Sequence, residues 1–192
     1  MPKPALILAS ASPRRRELLR TIVPAFEIRA CPLAEPAAKP ETVSPRGWAE
    51  ALAYFKARAV AEANPGRLVL GADTIVTCGQ HLLGKPRDLD DARRMLLLQA
   101  GRRCDVITGV SLVRMNAWPR RLFGADVTAV WMRDDAAEIE SYLQSGEWRG
   151  KAGAYGIQDC GDRLIERIEG SFPNVVGLPV ELVAKLLQRF AI

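Results

Sequence analysis

Three arginines in succession, Arg14-Arg15-Arg16, follow Ser10-Ala11-Ser12-Pro13, so a hydroxyl-rich turn meets a proline suited to the first position of a helix. Cations at a helix N-terminus oppose the macrodipole at a cost of about 0.3–1 kcal/mol each when exposed. An anion seated there would relieve the repulsion and engage the free N–H groups. The run reads either as a phosphate cradle or as a solvated basic patch on an ordinary helix. A second chemical position is Asp73, in Gly71-Ala72-Asp73-Thr74, set within the apolar stretch from Leu68 to Val76. A carboxylate in apolar surroundings stays ionised only where a metal, a cation or several donors compensate. Magnesium held by one or two carboxylates plus phosphate oxygens is one such arrangement; an aspartate capping a turn after the strand is the structural alternative.

Two glycine-rich stretches add cations. Gly79-Gln80-His81-Leu82-Leu83-Gly84-Lys85 has the spacing of a phosphate-binding P-loop, but Pro86 stands where that motif needs a metal-ligating Ser or Thr, and no helix is expected before Asp88. The P-loop reading is rejected. What survives is Lys85, between a glycine and a stiff proline, able to meet a phosphate as a point charge. In Gly146-Glu147-Trp148-Arg149-Gly150-Lys151-Ala152-Gly153-Ala154-Tyr155-Gly156-Ile157-Gln158, glycines permit close backbone approach to a ligand and Lys151 could meet phosphate. Gln158 offers both a donor and an acceptor, as the edge of a uracil or thymine ring requires. A flexible surface loop is the alternative.

The elements that must position these residues alternate between short apolar strands and amphipathic helices, the pattern of an α/β fold. Strands are expected at Ala5–Ala9, Phe26–Cys31 and Leu68–Val76, and as a long hairpin from Cys104–Met115 and Leu122–Met132. Helices are expected from Pro13 to about Val23 with Ser12 as N-cap, from about Trp48 to Ala63, from Asp88 to about Gln99, at Asp134–Ser145 and at Pro179–Phe190. The glycine-rich stretch from Gly146 to Gly161 reads as loop. No repeat, low-complexity segment or linker interrupts the chain, and a single domain over residues 1–192 is expected, with room for two lobes.

Composition narrows the chemistry. The chain has 27 Lys+Arg against 22 Asp+Glu, a formal charge of +5 that favours an anionic partner without naming one. No apolar run approaches a membrane span, and the four cysteines, Cys31, Cys78, Cys104 and Cys160, form no C-x-x-C pair. A reducing cytoplasmic setting, with neither export nor anchoring, is the expectation. With His81 the lone histidine, a histidine-rich zinc site is excluded, so catalysis must draw on carboxylates, cationic side chains and a metal. Aromatic residues make up 6% of the chain and no reader motif occurs, which argues against a dedicated nucleic-acid binder.

Six ordered blocks resemble the Maf family of nucleoside triphosphate pyrophosphatases over nearly the whole length. They are Leu8-Ala9-Ser10-Ala11-Ser12-Pro13-Arg14-Arg15 with Glu17-Leu18-Leu19, then Ala72-Asp73-Thr74, Leu83-Gly84-Lys85-Pro86 and Thr108-Gly109-Val110. Lys151-Ala152-Gly153-Ala154-Tyr155-Gly156-Ile157-Gln158 and Asn174-Val175-Val176-Gly177-Leu178-Pro179 complete the set. The resemblance implies a mixed α/β fold of the Maf and inosine-triphosphatase type: an elongated mixed sheet, flanking helices and two lobes around a central cleft. It also implies hydrolysis of a nucleoside triphosphate to the monophosphate and pyrophosphate with magnesium or manganese, and a homodimer in many members.

By the same resemblance Asp73 is the catalytic acid/base. Ser10, Arg14, Arg15, Lys56, Lys85 and Lys151 bind the triphosphate, and Glu35 with Asp73 attends the metal. Arg14, Thr74 and Gln158 match the positions tied to base selectivity in the branch acting on dTTP and UTP. The alternatives are the 7-methyl-GTP branch, a modified-nucleotide pyrophosphatase, and a non-catalytic regulator of septum formation that binds nucleotide or nucleic acid. Two departures from the family pattern stand out: Cys104 where members often have His, and Gly150 before Lys151 where Asp is common. Beside Gly150, Trp148 is a candidate to stack on the base.

Overall fold

The computed structural model describes residues 6–34, 36 and 39–190. In chain order the elements are β1 (Leu6–Leu8), α1 (Pro13–Arg20), β2 (Glu27–Ile28), α2 (Pro45–Glu62), β3 (Leu68–Cys78), β4 (His81–Leu83) and α3 (Leu89–Gln99). They continue as β5 (Arg103–Arg114), β6 (Arg120–Met132), α4 (Ala136–Ser145), β7 (Ile165–Glu169), α5 (Phe172–Val176) and α6 (Val180–Arg189). The strands form one mixed sheet in the order β2-β1-β3-β5-β6-β7, with β4 paired to β3. This is the α/β class that the alternation of strands and helices predicts.

The chain divides into two compact units, each contributing part of β3, β5 and β6. Unit 1 comprises Met1–Asp73, Thr108–Asp126 and Gly177–Ile192; unit 2 comprises Thr74–Ile107 and Val127–Val176. In unit 1, β1 runs parallel to both β2 and β3, with Leu8 opposite Leu70. Leu6, Leu8, Leu68 and Leu70 pack with Leu19 of α1 and with Val183, Leu186 and Leu187 of α6 on one side of these strands. Ile7, Val69 and Val113 point the other way, onto Ala57, Val60 and Ala61 of α2. In unit 2, β4 folds back antiparallel on β3 and β7 pairs antiparallel with β6. Its core gathers Met95 and Leu96 of α3, Ile139, Tyr142 and Leu143 of α4, and Trp148, Tyr155 and Leu164 from the connecting loops.

Two helix starts follow one rule. Ser12 before Pro13 and Ser44 before Pro45 each place a hydroxyl on a backbone N–H of the first turn, from Arg15 and Gly47 respectively. The second was not anticipated, so α2 begins three residues before Trp48. Elsewhere the expected ends move by a few residues, with Asp88 and Asp135 serving as N-caps. The strand expected over Phe26–Cys31 shortens to Glu27–Ile28, and Ala5 lies outside the described residues. Residues 79–85 form the turn and return strand of the β3–β4 hairpin, which agrees with rejecting a P-loop there.

Close packing of α2 depends on missing side chains. A Cβ on Gly71 would overlap the Ala53 carbonyl and the backbone and Cβ of Ala57, and one on Gly109 would overlap the backbone at Ala49 and Glu50. Gly71→Ala is therefore expected to push α2 off the sheet and cost about 1–3 kcal/mol, measured by denaturant unfolding. In unit 2, Asp91 accepts from Arg87 N (3.2 Å) and from Arg94 (2.7 Å), and with Arg94 as the main cause its carboxyl is held below the usual aspartate range. A lowered folded-state pKa contributes stability at neutral pH that is lost on acidification. Asp91→Asn is expected to cost about 1–3 kcal/mol near pH 7, with the gap to wild type closing as the pH falls through the acid range.

Candidate functional site

The chemistry in unit 1 centres on Asp73, 6% exposed at the point where β3 leaves the unit. Its Oδ1 accepts a short hydrogen bond from Nζ of Lys56, whose side chain is also buried. Lys56 lies on the apolar stripe of α2, in step with Ala49, Leu52, Ala53, Ala57, Val60 and Ala61. Because Gly71 lets that face press onto the strand, the helix delivers the ammonium group to the carboxylate two residues further on. Burying either charge alone would be costly, and the pair relieves both. Oδ2 of Asp73 has no protein hydrogen bond among the described residues, which leaves an anionic oxygen for a ligand.

The Ser10–Ser12 turn leaves the sheet beside this position. Ala9 N still bonds Leu70 O (2.8 Å), so the turn opens where β3 reaches Gly71. Ser10, 8% exposed, accepts from Ser12 N (3.2 Å) and from the Arg15 guanidinium (3.4 Å), while Arg15 Nε donates to Gly177 O (2.9 Å). The backbone of α1 is largely spoken for: Arg15 N goes to Ser12 Oγ, Arg16 N to Ser12 O, and Pro13 has no N–H. Of the first-turn N–H groups, that of Arg14 has no hydrogen-bond partner among the described residues. The half-buried Arg14 side chain likewise has no charged partner among the described residues.

Unit 2 supplies a second group. Thr74 follows Asp73 in β3, and Lys85 is exposed in the loop after β4 with Pro86 buried behind it. That loop is tied to the glycine-rich one, because Gly153 N donates to Gly84 O (2.9 Å). Lys151 is 7% exposed, with Nζ 3.8 Å from Glu147, and its stem crosses Gly156, where a Cβ would meet Cδ and Cε at 2.9 Å. Gly153 (φ +69°) and Ala154 (φ +64°) are both left-handed, an unusual state for alanine that tightens the loop below Lys151. Gln158 is half-buried where this loop enters a short 3-10 turn.

Sequence reasoning passed over Gln99, which is fully buried and donates Nε2 to Gly153 O (2.7 Å) and Met95 O (3.0 Å). It anchors the 151–158 loop to α3, and a polar residue at the end of an apolar helix face was the available clue. Lys56 enters through the family resemblance alone, although a lysine in the i, i+3, i+4 stripe of α2 is legible as a buried charge in need of a partner. Trp148, the candidate to stack on the base, presents no open ring face. It is 5% exposed in the core of unit 2 with Nε1 donating to Leu143 O (3.1 Å). Gly150, at φ +70° with open space around it, explains why a glycine is accommodated there. Glu35 lies outside the described residues. Among the described residues no group of three or more His, Cys, Asp or Glu could hold a metal ion, and no helix is long and apolar enough to cross a membrane.

A protein of Anaeromyxobacter dehalogenans named dTTP/UTP pyrophosphatase is 47% identical, covering 97% of this chain and 94% of its own. One of the same name from Koribacter versatilis is 44% identical, covering 96% of this chain and 93% of its own. The Ham1 protein of Staphylococcus aureus matches in fold with a TM-score of 0.60 at 14% identity, over 96% of this chain and 98% of that one. The family model described as Maf-like protein matches residues 5–190, and with relatives of this identity over nearly its full length the chain belongs to the Maf family.

Proposed function

We propose that the protein hydrolyses dTTP and UTP, in the presence of a divalent metal, to the nucleoside monophosphate and pyrophosphate. The observation that carries the reading is the buried Asp73, charge-compensated by Lys56 yet with one carboxylate oxygen unclaimed, in a chain whose relatives bear that activity in their names. Phosphoryl transfer asks for an in-line water and charge neutralisation rather than a protein nucleophile. Asp73 accepts a proton from the attacking water as its oxygen bonds the α-phosphorus. The bridging P–O bond to the β-phosphate then breaks, and its electrons leave with pyrophosphate.

Lys56, Arg14, Arg15, Ser10, Lys85 and Lys151 serve the triphosphate, and the cations stabilise the charge that builds on the leaving group. Asp73 with Glu35 would hold magnesium or manganese, a set that fits a small hard cation bound by one or two carboxylates plus substrate phosphates. When bound, the metal supplies further neutralisation of phosphate charge. Thr74, Arg14 and Gln158 select the base, with the Gln158 amide matching the alternating donor and acceptor edge of uracil and thymine. A cytosolic location and homodimeric assembly belong to the same reading. The free, scattered cysteines are consistent with the first.

Purified protein incubated with magnesium and, in turn, dTTP, UTP, CTP, GTP and 7-methyl-GTP is expected to release pyrophosphate fastest from the first two. Asp73→Asn, checked for folding by circular dichroism, is expected to lower that rate by about 10²–10⁴-fold. Absence of pyrophosphate from every nucleotide, or an undiminished rate in the variant, would favour the non-catalytic regulator. Preference for 7-methyl-GTP would place the protein in the other branch. Gln158→Leu is expected to reduce the ratio of kcat/KM for UTP over CTP by at least about tenfold, because the base edge then faces no matching amide.

A further inference from the structure

We propose that Glu147 is a positioning residue for base selection, holding the turn that presents Gln158 and tying it to Lys151. The inference rests on the reading of Lys151 and Gln158 as substrate-binding residues, and it assigns Glu147 no contact with the nucleotide. All the groups involved belong to unit 2. Oε2 of Glu147 accepts from Cys160 N (3.2 Å), and the same oxygen stands 3.8 Å from Nζ of Lys151. One carboxylate oxygen therefore meets both the cation assigned to phosphate and the turn that begins beside the amide assigned to the base.

The local backbone fixes where Glu147 stands. α4 ends at Gly146, left-handed at φ +74°, whose N–H bonds Leu143 O. Glu147 N then donates to Ser145 Oγ (3.2 Å), and the next residue, Trp148, is locked in the core through Nε1 to Leu143 O (3.1 Å). On the other side, Gln158 occupies the N-cap position of the 3-10 turn Asp159–Leu164, yet its side chain makes no capping hydrogen bond. An N-cap side chain ordinarily satisfies one of the N–H groups of the first turn. Here the acceptor for Cys160 N comes from Glu147, as a charge-assisted bond, and the Gln158 amide has no capping duty. The Lys151 stem crosses Gly156, and a Cβ on Gly161 would overlap Gly156 O, so loop and turn are closed on each other around this carboxylate. A partly exposed pair at 3.8 Å adds little to stability, and the geometry it imposes is the larger consequence.

Base preference is the property to measure, because a change in phosphate affinity or in stability acts equally on nucleotides that share a triphosphate and cancels in their ratio. Full-length protein in magnesium is titrated by calorimetry with the α,β-methylene analogues of UTP and CTP, which resist cleavage. Wild type is expected to favour the uridine analogue. Glu147→Ala removes the acceptor and is expected to reduce the ratio of the two affinities by about fivefold or more. Glu147→Met, which keeps the stem, is expected to do the same. Glu147→Gln retains an oxygen for Cys160 N while losing the charge, and is expected to hold the ratio within about twofold of wild type. In the Gln158→Leu background, Glu147→Ala is expected to change the ratio by less than about twofold, since the preference it protects is already gone. The inference is refuted if wild type shows no preference, if Glu147→Ala and Glu147→Met keep it, or if Glu147→Gln loses it as fully as they do. It is equally refuted if Glu147→Ala and Gln158→Leu lower the ratio independently. Because the readout is binding, the ratio can behave as expected while the nucleotide panel releases no pyrophosphate, or the reverse, so the two readings fail separately.

Discussion

The ion pair between Lys56 and Asp73 is the constraint around which unit 1 is arranged. Both side chains are nearly withdrawn from water, at 10% and 8% exposure, and the Lys56 ammonium compensates the Asp73 carboxylate directly. Such pairs seldom raise stability over an apolar pair of the same volume, yet removing one member of a pair costs about 3–5 kcal/mol because the other is stranded. A lysine on the apolar stripe of a helix and an aspartate within an apolar strand form a buried pair whose proposed purpose is chemistry. The unclaimed oxygen of Asp73 is where that chemistry can be exercised.

The surrounding architecture follows from bringing those two groups together. Glycines at 71 and 109 remove the Cβ atoms that would hold α2 away from the sheet, and the alanines of α2 complete a tight seam. The parallel pairing of β1 with β3 carries the Ser10 turn to the same strand end, where Arg15 braces it against Gly177. Unit 2 uses a different device for its cations, fastening two loops to each other. Gly153 bonds to Gly84 on one side and to buried Gln99 on the other, so the loops bearing Lys85 and Lys151 are braced by α3. Left-handed backbone at Gly153 and Ala154 is the local cost of that compactness.

Much of this was legible in the residues because the relevant physics is local. A serine before a proline marks a helix start, and an aspartate among Leu, Val and Ile demands a partner wherever it folds. The elements that escaped notice are those whose evidence is not local. β4 and β7 are short, and a register irregularity beside Trp131 and Met132 breaks the alternation by which β7 would show itself. α5 has five residues with a proline second. The hydrogen bonds by which Ser10 Oγ and Ser12 Oγ take the N–H groups of Ser12 and Arg15 depend on side-chain rotamers that no spacing specifies. Trp148 reads as available because it sits between Glu147 and Arg149 in a glycine-rich stretch, whereas tertiary packing of unit 2 decides its burial.

The central claim is that the Lys56–Asp73 pair is kept for catalysis and not for folding. A double-mutant cycle with Lys56→Met, Asp73→Leu and the two combined, followed by both denaturant unfolding and pyrophosphate release, tests it most directly. The account predicts coupled sites, with a double variant clearly less destabilised than the sum of the two single variants and pyrophosphate release lost in all three. A double variant that is as unstable as the sum of the singles, or one that still releases pyrophosphate, would contradict it.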